Sequence, residues 1–405
     1  MSYILSLYRA RHHPLLLSLY VPAFLFWFAQ SLLTPVLPLY AAGFEISYGL
    51  IGLLLAGDGI GMLLGDVPGG LLLRRFGSRR MMIVGITGAA LATVALFWAS
   101  SVPEALFYRV VSGFCVALYG VSRHDYISSS VGVGSRGRAI SLLGGMYRTG
   151  KFVGPAIGAT IAAAFGLRTS FLAAGLVAGI ALVVVIFYMP HTPIPPKAPT
   201  SSRMQLVTTF KTHFHVFSTA GIGQIFVQML RSGTLVIVPL YADRVLGLDV
   251  QTIGFIMSLG AALDMLMFLP AGIVMDRLGR KFAVVPSFVI QAAGMALMPF
   301  TTGFGGLVFA SALIGFANGL SSGTMMTIGS DLAPTDSRGE FLGIWRLIGD
   351  IGSSGGPLAV GAIAGVLTLP ASALVMTGTG ILAASIFAFR VPETLKRPPA
   401  NPASF

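Results

Sequence analysis

Twelve stretches of this chain are each apolar over at least the roughly 20 residues that a helix needs to cross the hydrocarbon core of a bilayer. They fall at about 15–41, 47–73, 80–100, 103–128, 138–164, 168–190, 215–242, 250–275, 281–302, 304–331, 338–366 and 370–391. The 405 residues are 55% hydrophobic and 10% charged, where a soluble domain carries about 25% charge. So apolar a chain buries its surface in lipid, and the expected class is an all-α, multi-pass membrane protein. Glycine is abundant, and patterns such as Gly57-Gly61-Gly65 and Gly150-Gly154-Gly158 let helices approach closely.

The second half of the chain repeats the first. Gly272-Ile-Val-Met-Asp276-Arg277-Leu-Gly279-Arg280-Lys281 reads as a tight charged turn between two apolar segments. A worn copy, Gly70-Leu-Leu-Leu-Arg74-Arg75-Phe-Gly77-Ser78-Arg79, lies 202 residues earlier. At the same offset Gly52 matches Gly254, Gly113 matches Gly315, Gly150 matches Gly352, and Gly154-Pro155 matches Gly356-Pro357. A constant offset of half the chain implies one duplicated unit. The expected organisation is a six-helix bundle over 1–190, a Pro- and Ser-rich linker over 191–214, a second bundle over 215–391 and a tail over 392–405. Arg203 to His215 is expected to hold a short interfacial helix.

The net charge of +12 does not point to nucleic acid, because the cations are placed by side. Of the 26 Lys and Arg, 18 fall in the tails and alternate loops on one side. Two, Arg168 and Arg244, fall on the other, and six lie inside apolar segments. By the positive-inside rule both termini are cytoplasmic in a cell membrane, and the two repeats run parallel. No cleavable leader is evident before the first apolar segment. The single cysteine, Cys115, excludes an intrachain disulfide and reads as a small buried hydrophobe.

The Gly272-to-Lys281 turn resembles the loop signature of the major facilitator superfamily. Arg109-Val-Val-Ser-Gly113 resembles that family's Arg-x-x-x-Gly pattern in the fourth helix. Gly150-x-x-x-Gly154-Pro155-x-x-Gly158 is similar to the pattern of its proton-driven antiporters, drug exporters especially. The resemblance spans the chain. It implies twelve helices in two parallel six-helix repeats, alternating access, and a substrate site between the halves. It further implies contacts of segment 2 with 11 and of segment 5 with 8, and a latch in which Asp276 faces the start of segment 5. Arg75, Arg277 and Arg280 would belong to the same gating turns as Gly70, Gly77, Gly272 and Gly279. The first copy has Arg74 where the family's pattern has Asp, so it lacks the acid of that pattern.

Ionisable groups at bilayer depth cost a few kcal/mol and are functional candidates for that reason. Asp58, Asp66 and Asp264 are the candidates for carrying a proton, with Asp58 first, since no cation lies at close spacing on its own helix. Depth pairs Lys151 with Asp264 and Asp66 with Arg346, while Arg346 and Asp350 share a helix face at i, i+4. Static ion pairs that only hold the bundle are the plain alternative. Candidates for the cavity wall are Gln30, Arg109, Arg123, Tyr147, Arg148, Gln224, Gln228, Arg231, Asn318 and Arg346. Gln224, Gln228 and Arg231 share one face of segment 7.

Other signals fail on context. Gly145 to Lys151 nearly matches a phosphate-binding loop, but Phe152 stands where Ser or Thr is needed and no strand precedes it. His213 and His215 lack further ligands for a metal. Ser122, His124 and Asp125 point to different faces of one helix, so enzyme activity is not expected. The sequence reads as a monomeric secondary transporter, without cofactor or metal, moving a small organic compound by proton-coupled efflux. Uptake of a sugar or metabolite is the alternative within transport, and a non-transporting membrane sensor or scaffold the alternative outside it.

Overall fold

The computed structural model describes residues 15–190 and 203–395. The expected Pro- and Ser-rich segment 191–202 and most of the expected tail lie outside the described residues. Among the described residues, ten helical runs are long and apolar enough to cross a bilayer. The longest, Tyr48–Ala95, has 48 residues, about 72 Å of helix and over twice the roughly 30 Å hydrocarbon core. It breaks at Gly77, whose φ of 76° is open to glycine without strain. The two arms cross separately. Val133–Phe165 is long enough at 33 residues, but its cations dilute its hydropathy. That makes twelve crossings.

They are α1 (Leu16–Ala42), α2 (48–76), α3 (78–95), α4 (Val102–Ser130), α5 (Val133–Phe165) and α6 (Thr169–Tyr188). After a short helix, Arg203–Thr212, come α7 (Phe214–Arg244), α8 (Val250–Arg277), α9 (Arg280–Phe300), α10 (Phe304–Leu332), α11 (Arg338–Val366) and α12 (Leu369–Phe389). The short helix packs along α11, where the His213 ring meets Phe341 edge-on. One feature departs from the expected segments: α10 breaks at Ser321–Gly323, where Gly323 turns left-handed at φ 75°.

The duplication extends to contacts. Gly113 of α4 lies against the Asp58 carbonyl, and Gly315 of α10 lies against the carbonyl of Gly260, each partner displaced by the same 202 residues. Arg79 donates to the Ile186 carbonyl, and Lys281 to that of Ala388, again at that offset. The first copy's missing arginine changes the turn. Ser78 donates a short hydrogen bond to Asp125, whereas Arg280 reaches Asp331 at 3.0 Å.

The two six-helix sets meet along α2–α11 and α5–α8. These pairs are tight at one end and open at the other. The tight end lies away from the linker and is called here the far side. There a Cβ on Gly52 would stand 2.5 Å from the Pro357 carbonyl oxygen, and one on Gly254 2.6 Å from that of Pro155. One continuous apolar cluster, including Leu37, Tyr40, Leu54, Val236, Ile253 and Val360, draws on both sets and seals this side. Arg244 also donates to the Ala42 carbonyl at 2.9 Å, joining α7 to α1. Further along the same face of α2, Asp66 still reaches α11, but Gly70 has nothing within 4 Å of a built Cβ, and neither has Gly272 on α8 nor Gly343 on α11. Near the linker each set has its own apolar cluster. The helix pairs diverge, and the interior opens to the linker side.

A candidate transport cavity

Between α5, α7, α8, α10 and α11, with Gln291 of α9, lies a cavity of about 420 Å³. Its far end is mostly apolar, formed by Leu235, Val238, Ile256, Met257 and Ile314 together with Thr234 and Ser311. Its middle carries Tyr147, Arg148, Lys151, Gln228, Arg231, Asp264 and Asn318.

Asp264 is the hub. Its side chain is 5% exposed, and it faces Lys151 at 3.4 Å and Arg148 at 3.8 Å across the α5–α8 boundary. Asn318 of α10 donates to it at 2.9 Å. A carboxylate this buried needs such partners, since an unpaired ion at this depth is costly. The Arg148 guanidinium also stacks over Phe268 at 4.3 Å. Arg231 rests over the Phe288 ring and donates to Ser321 Oγ at 2.8 Å. Several buried polar atoms of this wall have no hydrogen-bond partner within the described protein: Arg148 Nε, Arg231 Nε, Asp264 Oδ1, Asn318 Oδ1, Ser311 Oγ and Ser322 Oγ.

The other boundary, α2–α11, holds Asp66 and Arg346 at 3.1 Å, with Asp350 3.7 Å from the same guanidinium. Asp58 has a cation after all. It comes from a neighbouring helix, Arg109 of α4 at 3.6 Å, so both members of the pair belong to the first six helices.

Five residues expected in the cavity wall are elsewhere. Gln30 borders a void of about 10 Å³ inside the first set. Arg109 is held by Asp58. Arg123 lies over the rings of Trp27 and Tyr119, 5.7 and 5.5 Å from their centroids. Gln224 is buried against Gly349. Arg346 is held by Asp66 and Asp350. Of the shared α7 face, only Gln228 and Arg231 reach the cavity. Asp276 does not face α5. Its side chain is 77% exposed and pairs with Arg280 one turn on, because the two sets stand apart on this side. Arg75 stacks on Phe76, and Arg277 is exposed. Gly154 and Gly158 pack α5 on α1, and Gly150 sits at the Trp27–Phe28 backbone. Gly356 packs α11 on α7, and Pro357 meets Gly52. Phe268 and Ser353 were not singled out from sequence. Both were reachable through the repeat, as the counterparts of Asp66 and Lys151 at the 202-residue offset.

The family model of the Major Facilitator Superfamily matches residues 19–220 and again 220–404. The chain belongs to the Major Facilitator Superfamily. It is thus a membrane transporter, and its two matches fall on the two sets of six helices. Among its relatives, it is 25% identical over 378 residues to a multi-drug resistance efflux pump homologue of Lactococcus lactis, covering 89% of this chain and 90% of that one. It is 23% identical over 370 residues to a 3-(3-hydroxy-phenyl)propionate transporter of Escherichia coli, covering 86% of each. The solved structure of a D-xylose–proton symporter superposes with a TM-score of 0.76 at 19% identity, over 94% of this chain and 97% of that one, which shows the shared fold.

Proposed function

We propose that this superfamily member is a proton-coupled exporter of a small organic compound. The observation that carries the reading is a charged cavity, with partly unsatisfied polar atoms, sealed on the far side and open towards the linker. The bias of cations to the linker side supports a cytoplasmic linker and cytoplasmic termini in a cell membrane. With that orientation the cavity faces the compartment from which an exporter loads. The units 1–190 and 215–391 are read as two rocking bodies joined by 191–214, with 392–405 as a tail and the monomer as the working unit. The similarity to the efflux pump homologue, and to tetracycline resistance proteins over 71–78% of this chain, supports export.

Coupling is assigned to Asp264 and Asp66 ahead of Asp58. A proton and a cation compete for the same carboxylate oxygens. Only a pair that spans the two units changes when the units rock. Lys151–Asp264 and Asp66–Arg346 span them, whereas Arg109 moves with Asp58. Closure of the linker side would bring Asp276 towards α5, where the helix N-terminus favours an anion.

The similarity to the hydroxyphenylpropionate transporter, together with the cationic wall, favours proton-linked uptake of an organic acid as a second reading. Proteoliposomes enclosing a pH-sensitive dye separate the two. A compound gradient that drives protons in the opposite direction supports antiport, and movement in the same direction supports symport. Compound movement with no proton flux at all rejects both.

A further inference from the structure

We infer that the transported compound is a small organic anion with an apolar body, and that Arg231 is the seat of its carboxylate. The inference rests on the cavity being the substrate site, and is independent of the direction of transport.

The cavity wall carries Arg148, Lys151 and Arg231 against one carboxylate, Asp264. Arg148 and Lys151 share that carboxylate. Arg231 has no carboxylate within 4.0 Å among the described residues. Its hydrogen bonds go to neutral groups: Ser321 Oγ at 2.8 Å, the Ser321 carbonyl at 3.4 Å and Gln228 Oε1 at 3.4 Å. Its Nε has no hydrogen-bond partner. Asp264 meets this charge only from beyond 4.0 Å and the Phe288 ring only through its face, and a guanidinium without an adjoining carboxylate at mid-depth of a membrane protein is costly. A ligand carboxylate satisfies its fork and balances its charge together.

The rest of the wall selects the body of the ligand. Beyond Arg231, towards the far side, the wall is mostly apolar, made by Leu235, Val238, Ile256, Met257 and Ile314, with the Thr234 and Ser311 hydroxyls among them. A compound with its carboxylate at Arg231 therefore places an apolar body on a mostly apolar surface. The volume of about 420 Å³ lies within the range of small-molecule sites. A cationic compound of equal size would meet three like charges against one opposite charge.

The test is thermal stabilisation of the purified full-length protein by naphthoate, its neutral amide and the corresponding naphthylmethyl ammonium, which have similar shapes. The expected order is naphthoate well above the amide, with the ammonium last. Arg231→Gln should weaken naphthoate binding about 10- to 100-fold, and Arg231→Lys, which keeps the charge, by about tenfold or less. The melting of each variant without ligand shows whether it is folded. Equal stabilisation by acid and amide, preference for the ammonium, or stabilisation by none of the three overturns the inference. So does unchanged naphthoate binding in folded Arg231→Gln. Naphthoate binding without proton movement leaves the anion seat standing and rejects coupled transport of that compound. Proton flux evoked only by neutral or cationic compounds does the reverse.

Discussion

Asp66 of α2 and Arg346 of α11 are 280 positions apart in the chain and meet at 3.1 Å across the boundary between the two six-helix sets. The corresponding boundary, α5–α8, is built from the other combination, one carboxylate of α8 facing two cations of α5. The repeat makes the two boundaries equivalent, with Asp264 about one turn further from the linker than Phe268, the counterpart of Asp66, and their charges differ. At α2–α11 two acids share one cation, and at α5–α8 two cations share one acid. The cavity adjoins the cation-rich one.

The first prediction concerns this pair. In a double-mutant cycle of Asp66→Asn and Arg346→Gln, the coupling energy should be about 1–3 kcal/mol, as for partners in one network. Thermal or denaturant melts of the purified protein measure it. A coupling near zero would mean that the pair contributes nothing to holding the boundary.

Asp264→Asn should reduce proton-driven transport at least about tenfold, an effect of roughly 1.4 kcal/mol or more. It should also destabilise the protein, because Arg148 and Lys151 lose their shared acid and breaking a buried pair costs about 3–5 kcal/mol. Asp58→Asn should retain most transport, since its partner Arg109 belongs to the same set. Flux in proteoliposomes, read beside the melting temperature, separates the two effects. Equal loss of transport in both variants would contradict the assignment.

Glycines on one face of α2 should differ sharply. Gly52→Ala puts a Cβ 2.5 Å from the Pro357 carbonyl oxygen, where backbone must shift. The expected loss is about 1–3 kcal/mol, as for overpacking, with the far side opened. Gly70→Ala enters open space on a helix and should be neutral or stabilising by up to about 1 kcal/mol. Thermal melts give the energies, and labelling of a cysteine placed near Ala42 reports on far-side access.

Glu393 provides a pH prediction outside the membrane-spanning segments. Its carboxylate accepts from the backbone N–H groups of Arg280 at 2.9 Å and Lys281 at 3.0 Å, capping α9, and from Leu395. Burial pushes its carboxyl up, but the donors of Leu395, Lys281 and Arg280 outweigh burial and hold it below the usual carboxylate range. A lowered carboxyl contributes stability that is present above its unfolded value, about pH 4.3, and is lost as pH falls through the folded value. Glu393→Gln should therefore melt lower than the parent at neutral pH, and the gap should shrink on acidification below about pH 4. A gap that does not change with pH would remove the charged cap.

Much of this architecture is written in one dimension. The twelve apolar segments dictate helices, because lipid cannot satisfy backbone polar groups. The 202-residue offset relates the halves down to single contacts, such as Gly113 on Asp58 and Gly315 on Gly260. The depth of Lys151, Asp264, Asp66 and Arg346 along their helices was legible too, since rise per residue is constant. What the spacing did not contain was rotation and separation between helices. Arg109 beside Asp58, Arg123 between two rings, and Gln30 away from the cavity all depend on which faces pack together. Asp276 lies exposed because α2–α11 and α5–α8 close at Gly52 and Gly254 and diverge beyond. Sequence alone determined which residues lie at which depth in the bilayer. Only the tertiary structure decided which of them face one another, because that depends on the tilt at which packed helices cross, and tilt is set by contacts between segments far apart in the chain.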